Sequence, residues 1–313
     1  MAMTRTTKAL VELYLKHLQL PAKAPSFEYL CEIQKKHIET IPHENIDNVF
    51  HLHSSFDIPH LLNKYIVERR GGFCFELNYS LAWLLKELGF HVELILANVV
   101  AYEYFKESNT YPTHPIIIVY LGDKKFLTDA GWCDSYRNPI SLTAEEYNDH
   151  TGKYRVVSKD NEKLVMQKWL QDQEVNDKYD WNDQFIFNNP TIPVEELTFP
   201  VNFLAAHVYT HVGVGYIFSK LFKFTSVNPT GHQSIWGNQF LTKKNDEKNK
   251  TDLTQDVSVI LQQNFNVAPQ VATKCIKFQR SASMLFSYKP LDEKSVTKKI
   301  NAVLESRIRR YSF

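Results

Sequence analysis

Cys74 stands in the run Arg70-Gly71-Gly72-Phe73-Cys74-Phe75-Glu76-Leu77-Asn78, the stretch of this chain best suited to covalent chemistry. Two glycines allow a tight turn with little steric bulk. The apolar stripe Leu77, Leu81, Leu84, Leu85 and Leu88 then predicts a helix from about Phe75 to Leu88, with Gly89 as its C-terminal stop. Cys74 therefore falls at or near a helix N-terminus. Unpaired N–H groups and the positive end of the helix dipole favour a thiolate there. The same groups can help hold an oxyanion during acyl transfer. Most cysteines are buried and inert, so the glycine turn and the helix start single this one out, not its residue type.

A reactive cysteine needs a base and a group that orients the base. Pro115 to Leu121 and Lys124 to Asp129 read as strands joined by a two-residue turn at Gly122-Asp123. With that turn, His114 faces Gly131, and Asp129 lies two residues along on the same face. His114 and Asp129 become diagonal neighbours, roughly 7 Å apart between backbones. A slip of one residue would separate them. Taken alone, His114 is an ordinary strand-end histidine near solvent. Taken with Asp129 and Cys74, it completes a Cys-His-Asp set for nucleophilic acyl transfer.

The elements around this set fall into three groups. The first 90 residues read as helical. Leu10, Leu13, Tyr14 and Leu18 recur at helical spacing before Pro21. Ser26 is placed to cap a second helix carrying Tyr29, Leu30, Ile33 and Ile38, which ends before Pro42. Pro59 opens a third with Leu62, Tyr65 and Ile66. After Gly89 the texture turns to strands: His91 to Ala101, the hairpin above, and a second hairpin of Tyr154 to Ser158 and Lys163 to Trp169. Residues 171 to 193 read as a linking segment. The last third is mixed. It holds a short helix at Val201 to Tyr209, strands at Tyr216 to Phe224 and Ser234 to Leu241, and a charged loop from Lys243 to Lys250. Helices are predicted near Thr254 to Phe265 and from Ser295 to Arg310.

Bulk composition narrows the function classes. The chain has 313 residues, 43% of them hydrophobic and 23% charged, which is ordinary for a soluble globular protein. A formal net charge of +1 gives no electrostatic pull toward nucleic acid or an anionic membrane. The longest apolar runs are far short of a membrane span, and the segment after Met1 reads as amphipathic rather than as a signal peptide. Cys31, Cys74, Cys133 and Cys275 are scattered with no C-x-x-C pair, which fits a reducing cytoplasm. His207 and His211 are four apart but lack an evident third ligand, so no metal is expected. Asn228-Pro229-Thr230-Gly231 reads as a turn, because it lacks the lysine of a phosphate loop.

These residues together resemble the arylamine N-acetyltransferase family. The nucleophile motif R-G-G-[FY]-C-[FY]-E-x-N is matched at Arg70 to Asn78. The histidine segment is matched by Thr113-His114, and the D-x-G-[FW] segment by Asp129-Ala130-Gly131-Trp132. The upstream P-F-E-N segment stands here as Pro42-His43-Glu44-Asn45. The likeness is clear over about residues 8 to 135 and general beyond. It implies an α+β fold with a papain-like or transglutaminase-like Cys-His-Asp core. An N-terminal helical bundle (1–90) would carry the nucleophile and a central β-barrel (91–194) the histidine and aspartate. Residues 195–313 would form an α/β lid with a C-terminal helical extension. It implies ping-pong chemistry: Cys74 takes an acetyl group from acetyl-CoA and passes it to an aromatic amine or hydrazine, with no permanently bound cofactor. His43, Phe73, Val100, Thr113, Gly131 and Trp132 would line the substrate pocket, and Arg70 with Glu44 or Glu76 would form a supporting ion pair. The expected state is a monomer or weak oligomer in the cytoplasm.

The chain departs from the family pattern at four places. His43 replaces a pocket phenylalanine, Trp132 stands where phenylalanine is frequent, and Cys133 stands where glycine is common. The serine-rich lid segment that helps hold coenzyme A has as its nearest counterpart Thr210-His211-Val212-Gly213-Val214-Gly215, without serine. That leaves room for another short acyl-CoA, such as propionyl- or malonyl-CoA. Two rival readings share these residues. One is a cysteine peptidase or transglutaminase-like acyl transferase, since the same triad serves many acyl transfers. The other is a weakly catalytic scaffold that binds an aryl or CoA ligand. Glu76 and Asn78 within the full motif favour the acetyltransferase.

Overall fold

The structure, a computed structural model, describes residues 5–50, 55–101, 112–132, 136–143, 145–171, 179–190, 203–212, 218, 221–244, 247–253 and 256–275. Helices α1 (Arg5–Leu18), α2 (Phe27–Thr40), α3 (Ile46–Val49), α4 (Ile58–Ile66) and α5 (Cys74–Glu87) come first, with a short strand β1 (His43–Glu44) before α3. Ser26 caps α2 by accepting a 3.1 Å hydrogen bond from the Tyr29 amide, and Asp57 caps α4, with Pro59 in its first turn. The buried stripe of α5 includes Leu77, Leu81, Leu84 and Leu85, as its periodicity predicts. In α1 the buried face is Val11, Tyr14, Leu15 and Leu18, whereas Leu13 is 43% exposed.

An eight-stranded antiparallel sheet follows: β2 (His91–Val99), β3 (His114–Leu121), β4 (Lys124–Thr128), β5 (Ile140–Ser141), β6 (Tyr147–Asp149), β7 (Gly152–Ser158), β8 (Lys163–Gln171) and β9 (Tyr179–Asn188). Its spatial order is β5-β4-β3-β2-β9-β8-β7-β6, and β5 comes back against β7, so the sheet curls into a nearly closed barrel. β3 is apolar on both faces because it serves two cores. Ile116 and Ile118 point into the barrel with Leu127, Tyr154 and Phe185, while Ile117 and Val119 pack with α5 and the other helices. Adjacent positions therefore sort to opposite cores by the strand's own period.

A second sheet has the order β1-β10-β11-β12-β13, with β10 (Lys223–Asn228), β11 (Gly231–Trp236), β12 (Gln239–Lys244) and β13 (Glu247–Asp252). Helices α6 (Phe203–Val212), α7 (Val257–Phe265) and α8 (Pro269–Ala272) accompany it. Its apolar core joins Ile46 of α3 to Phe224, Ile235, Leu261 and Phe265. β1 thus ties the N-terminal helices to the C-terminal sheet through His43 opposite Thr225 and Glu44 opposite Phe224.

Several sequence expectations are corrected. Residues 171–193 are not simply a link, because Tyr179–Asn188 forms β9; its polar first half pairs only with β8 and is largely solvent-facing, which hides the strand period. The single strand expected at Ser234 to Leu241 is a hairpin turned at Gly237-Asn238. The charged loop at Lys243 to Lys250 is mostly strand: the end of β12 and the wholly exposed edge strand β13, whose charges suit an unpaired edge. The strand expected from Tyr216 begins at Lys223, and the helix expected at 201–209 spans Phe203–Val212. The helix expected at Ser295 to Arg310 lies outside the described residues, as does Cys133. Among the described residues no helix is long and apolar enough to cross a membrane.

Candidate active site

Cys74 is the first residue of α5 and only 4% exposed. The helix start is braced on both sides. The Phe73 amide donates to Glu76 Oε2 at 2.9 Å, and the Glu76 amide donates back to the Phe73 carbonyl at 2.9 Å. The glycine turn is pinned to the chain before β1: the Gly72 amide donates to the Pro42 carbonyl at 3.1 Å and the Glu44 amide to the Gly72 carbonyl at 2.9 Å. A Cβ on Gly71 would sit 1.6 Å from the Pro42 carbonyl oxygen, so no side chain fits there. The positive end of the α5 dipole falls on the Cys74 thiol.

The β3–β4 register pairs Ile117 with Thr128 and Leu121 with Lys124, as the Gly122-Asp123 turn predicts. That register places Asp129 beside His114, with 2.7 Å between Nε2 and Oδ2. A carboxylate only accepts, so Nε2 donates, and Nδ1 is the ring nitrogen left to deal with a thiol. The other Asp129 oxygen accepts from Asn78 Nδ2 at 2.8 Å and from the Gly131 amide at 2.7 Å. Asn78 lies one turn after Cys74 on the same helix face. It also donates to the Pro115 carbonyl at 2.6 Å and accepts from the Ala130 amide at 2.8 Å. The helix that carries Cys74 is thereby bonded to both strands that carry His114 and Asp129. Gly131 closes the set: a Cβ there would come within 2.7 Å of Cys74 Cβ and 2.8 Å of Cys74 Cα. Behind Asp129, Gln34 of α2 accepts its amide at 3.2 Å and donates to the Tyr136 carbonyl at 3.3 Å. Burial and the adjacent Asp129 carboxylate push the Tyr136 phenol well above its ordinary range, so it stays protonated.

The expected ion pair is a larger buried network. Arg70 Nη2 donates to Glu44 Oε1 at 2.7 Å and to Asp47 Oδ1 at 2.8 Å. Lys64 Nζ donates to both Glu76 oxygens at 2.9 and 2.8 Å and to Asp47 Oδ2 at 2.7 Å. Burial alone would raise Asp47, but Lys64 and Arg70 reverse that and bring it to about 2. Burial pushes Glu76 up against the opposing pull of Lys64. Burial likewise works against the Lys64 ammonium, but Glu76 and its other carboxylate neighbours hold it above its ordinary value. The network fixes Glu76, and through it the Phe73 amide at the start of α5.

The expected pocket residues are placed around this frame. Trp132 stands edge-on to His114 with 4.9 Å between ring centroids, and Phe185 of β9 lies 5.5 Å from the same imidazole. Phe73 and His43 rings are 5.5 Å apart, and Phe218 is 5.5 Å from Phe73. Thr113 is buried next to His114 and its amide donates to the Ala97 carbonyl at 3.1 Å. Val100 follows β2, with its amide bonded to the Gln184 carbonyl at 2.9 Å, one residue from Phe185. Burial, Lys223 and His114 hold the His43 imidazole well below its ordinary value, so it is neutral.

Two side chains from the other sequence features, Thr210 and His207, make structural contacts. Thr210 spends its hydroxyl on the His207 carbonyl at 2.8 Å and is fully buried, so it does not replace the absent lid serines; Gly213 to Gly215 lie outside the described residues. His207 packs between Phe56 and Phe75, at 4.8 and 5.2 Å. Among the described residues no three His, Cys, Asp or Glu side chains gather as a metal site. Sequence reasoning did not name Asn78, Lys64, Asp47 or Gln34 as site residues. The four-residue spacing from Cys74 could have found Asn78. A lysine inside the otherwise apolar face of α4 was a signal for Lys64, because a buried ammonium needs carboxylates. Gln34 and Asp47 carried no local signal.

The N-acetyltransferase family profile matches residues 26–273. The chain is 24% identical to the chicken arylamine N-acetyltransferase pineal gland isozyme NAT-10 over 262 residues, 77% of this chain and 87% of that one. It is 32% identical to the chicken isozyme NAT-3 over 139 residues, 42% of this chain and about half, 47%, of that relative. The structure of the Mycobacterium marinum arylamine N-acetyltransferase in complex with CoA superposes with a TM-score of 0.71 at 20% identity, covering 85% of this chain and 98% of that one. With the profile spanning most of its length, the chain belongs to the arylamine N-acetyltransferase family.

Proposed function

We propose that the protein transfers an acetyl group from acetyl-CoA to an aromatic amine or hydrazine in two half-reactions through an S-acetyl Cys74. In the first, the Cys74 thiol gives its proton to His114 Nδ1 and the sulfur attacks the thioester carbonyl carbon. The tetrahedral oxyanion collapses, the bond to the coenzyme A sulfur breaks, and His114 returns the proton to that sulfur. In the second, the acceptor nitrogen attacks the Cys74 thioester, His114 takes the proton from nitrogen, and the Cys74 thiol is restored. Asp129 holds His114 in the required tautomer and stabilises the imidazolium. The α5 N-terminus favours the thiolate.

The observation that carries this reading is the Asp129 carboxylate. One of its oxygens meets His114 Nε2 at 2.7 Å, and the other is bonded to Asn78 on the helix that begins with Cys74. The aromatic walls from Phe73, Trp132 and Phe185 suit a flat aryl acceptor. Residues 1–90, 91–194 and 195–313 serve as helical bundle, barrel and lid, with β1 joining the first to the last. Cys31, Cys74 and Cys275 are unbridged, in keeping with a reducing cytoplasm, and Cys74, His114 and Asp129 come from one chain, in keeping with a monomer. The test is release of free coenzyme A thiol from acetyl-, propionyl- and malonyl-CoA, each with one arylamine. Acetyl-CoA is expected to be turned over fastest, and no release from any of the three would overturn the reading.

A further inference from the structure

We propose that Gln34 is a positioning residue for the reaction: its side-chain amide holds the backbone of Asp129, and so the carboxylate that orients His114. This rests on the acyl-transfer reading above and adds a residue outside the motifs that supply the nucleophile, base and acid.

The β3–β4 ladder ends where Thr128 pairs with Ile117, and β5 pairs only with Phe126 and Leu127, so no strand holds the residues just beyond. Three consecutive amides there are met by side chains instead. Asp129 donates to Gln34 Oε1 at 3.2 Å, Ala130 to Asn78 Oδ1 at 2.8 Å, and Gly131 to the Asp129 carboxylate at 2.7 Å. Of the three, the Gln34 bond ties the segment to α2, and the Asn78 bond ties it to the helix that begins with Cys74.

Gln34 is fully buried, on the face of α2 that carries Leu30, Ile33, His37 and Ile38. A side-chain amide there is costly unless both of its ends are paired. Both are: Oε1 takes the Asp129 amide, and Nε2 donates to the Tyr136 carbonyl at 3.3 Å. An N–H needs the oxygen and a carbonyl needs the NH2, so only one orientation of the amide serves both partners. Gln34 therefore spans the segment from Asp129 to Tyr136, which sets Gly131 against Cys74 and Trp132 against His114. An apolar side chain of the same length would fill the space but leave the Asp129 amide and the Tyr136 carbonyl buried and unpaired. The Asp129 backbone would move to relieve them, and the bond to His114 would move with it.

The test compares wild type with Gln34→Met, which removes both bonds, and Gln34→Glu, which keeps the shape. Leu261→Ala, in the core of the second sheet, controls for lost stability alone. Urea titration first establishes that each variant is folded. Two quantities are then read. One is kcat and KM for acetyl-CoA with a single arylamine, from pH 6 to 8.5. The other is the rate of Cys74 alkylation by iodoacetamide near pH 6, without any donor. Gln34→Met is expected to lower kcat and the alkylation rate each by about 10- to 100-fold, with KM little changed and Leu261→Ala at wild-type values. In Gln34→Glu the neutral carboxylic acid keeps both bonds, and the ionised form cannot donate to the Tyr136 carbonyl. Burial and the nearby Asp129 carboxylate favour the neutral form. Its kcat is therefore expected to be close to wild type at pH 6 and to fall below it as pH rises.

Wild-type kcat or wild-type alkylation in folded Gln34→Met overturns the proposal, as do equal losses in Leu261→Ala. Where Gln34→Met fails to fold, Gln34→Glu decides: a ratio to wild type that falls with rising pH keeps the proposal, and a constant ratio overturns it. The alkylation reading separates this from the reaction itself. If no protein releases coenzyme A, slowed alkylation in Gln34→Met keeps the proposal and removes the reaction, and equal alkylation removes both.

Discussion

His114 Nε2 and Asp129 Oδ2 are 2.7 Å apart, while Asn78 and the Gly131 amide both donate to the second Asp129 oxygen. That asymmetry predicts the behaviour of Asp129→Asn. Two fixed donors on one side will claim the new amide oxygen, so the amide NH2 turns toward His114. The imidazole then carries its proton on Nδ1 and cannot take one from Cys74. Turnover is expected to fall by about 10³ to 10⁴. Iodoacetamide labelling of Cys74 near pH 6 should fall with it, while the thermal midpoint changes little. A loss of less than tenfold would contradict this role for Asp129.

Gly131→Ala tests the close approach of the two chains at the nucleophile. The added methyl would meet backbone-anchored atoms, Cys74 Cα at 2.8 Å and Cβ at 2.7 Å, and neither can swing aside. The cost is expected to be about 1–3 kcal/mol in urea denaturation, from overpacking a rigid contact. Acyl transfer should be lost well before folding is. A variant with wild-type stability and activity would show that α5 and the end of β4 are not clamped.

Lys64→Met tests the ion network. Three carboxylates lie within 3.7 Å of Lys64 Nζ, from Glu44, Asp47 and Glu76. Removing the buried cation strands their charge, with an expected loss of about 3–5 kcal/mol. Adding Glu76→Gln should return part of it, because one stranded carboxylate becomes a neutral amide. Additive effects in the double variant would argue that the two side chains do not interact.

Acid stability reports on buried His37. Its Nε2 lies 2.8 Å from the Tyr14 hydroxyl, and burial lowers its pKa from 6.5 to about 3. Between those values the unfolded chain binds a proton that the folded imidazole refuses. Stability is therefore full above pH 6.5 and falls as pH drops toward 3, by about 1.4 kcal/mol per pH unit. His43, lowered in the same direction, adds to the slope. Asp47, at about 2 when folded against an ordinary 3.8, adds a further loss only below about pH 4. Urea midpoints at pH 7.5, 6.5, 5.5 and 4.5 should decline more steeply for wild type than for His37→Gln. Parallel declines would contradict the assignment.

The placement of Cys74, His114 and Asp129 was legible in the sequence because each part rests on local structure. A helix start after Gly71-Gly72 places Cys74, and a two-residue turn at Gly122-Asp123 fixes the register that joins His114 to Asp129. What stayed hidden depends on partners far away in the chain. Asp47 and Lys64 meet across 17 residues, and Gln34 reaches Asp129 across 95. No period or cap announces such pairs. The strands β9 and β13 were missed for a different reason. Their Asp, Asn and Lys residues face solvent at a projecting hairpin and a sheet edge, so the alternation that marks a half-buried strand is weak there. His43 was visible as a residue type, but its burial was not.

The most direct measurement is the intact mass of the protein after brief exposure to acetyl-CoA without acceptor, followed by acid quench and peptide mapping. One acetyl group on Cys74 is expected, absent in Cys74→Ala and discharged on adding an arylamine with appearance of the N-acetyl product. A folded protein that takes up no acyl group on Cys74, or takes it up equally on Cys31 and Cys275, would contradict the account.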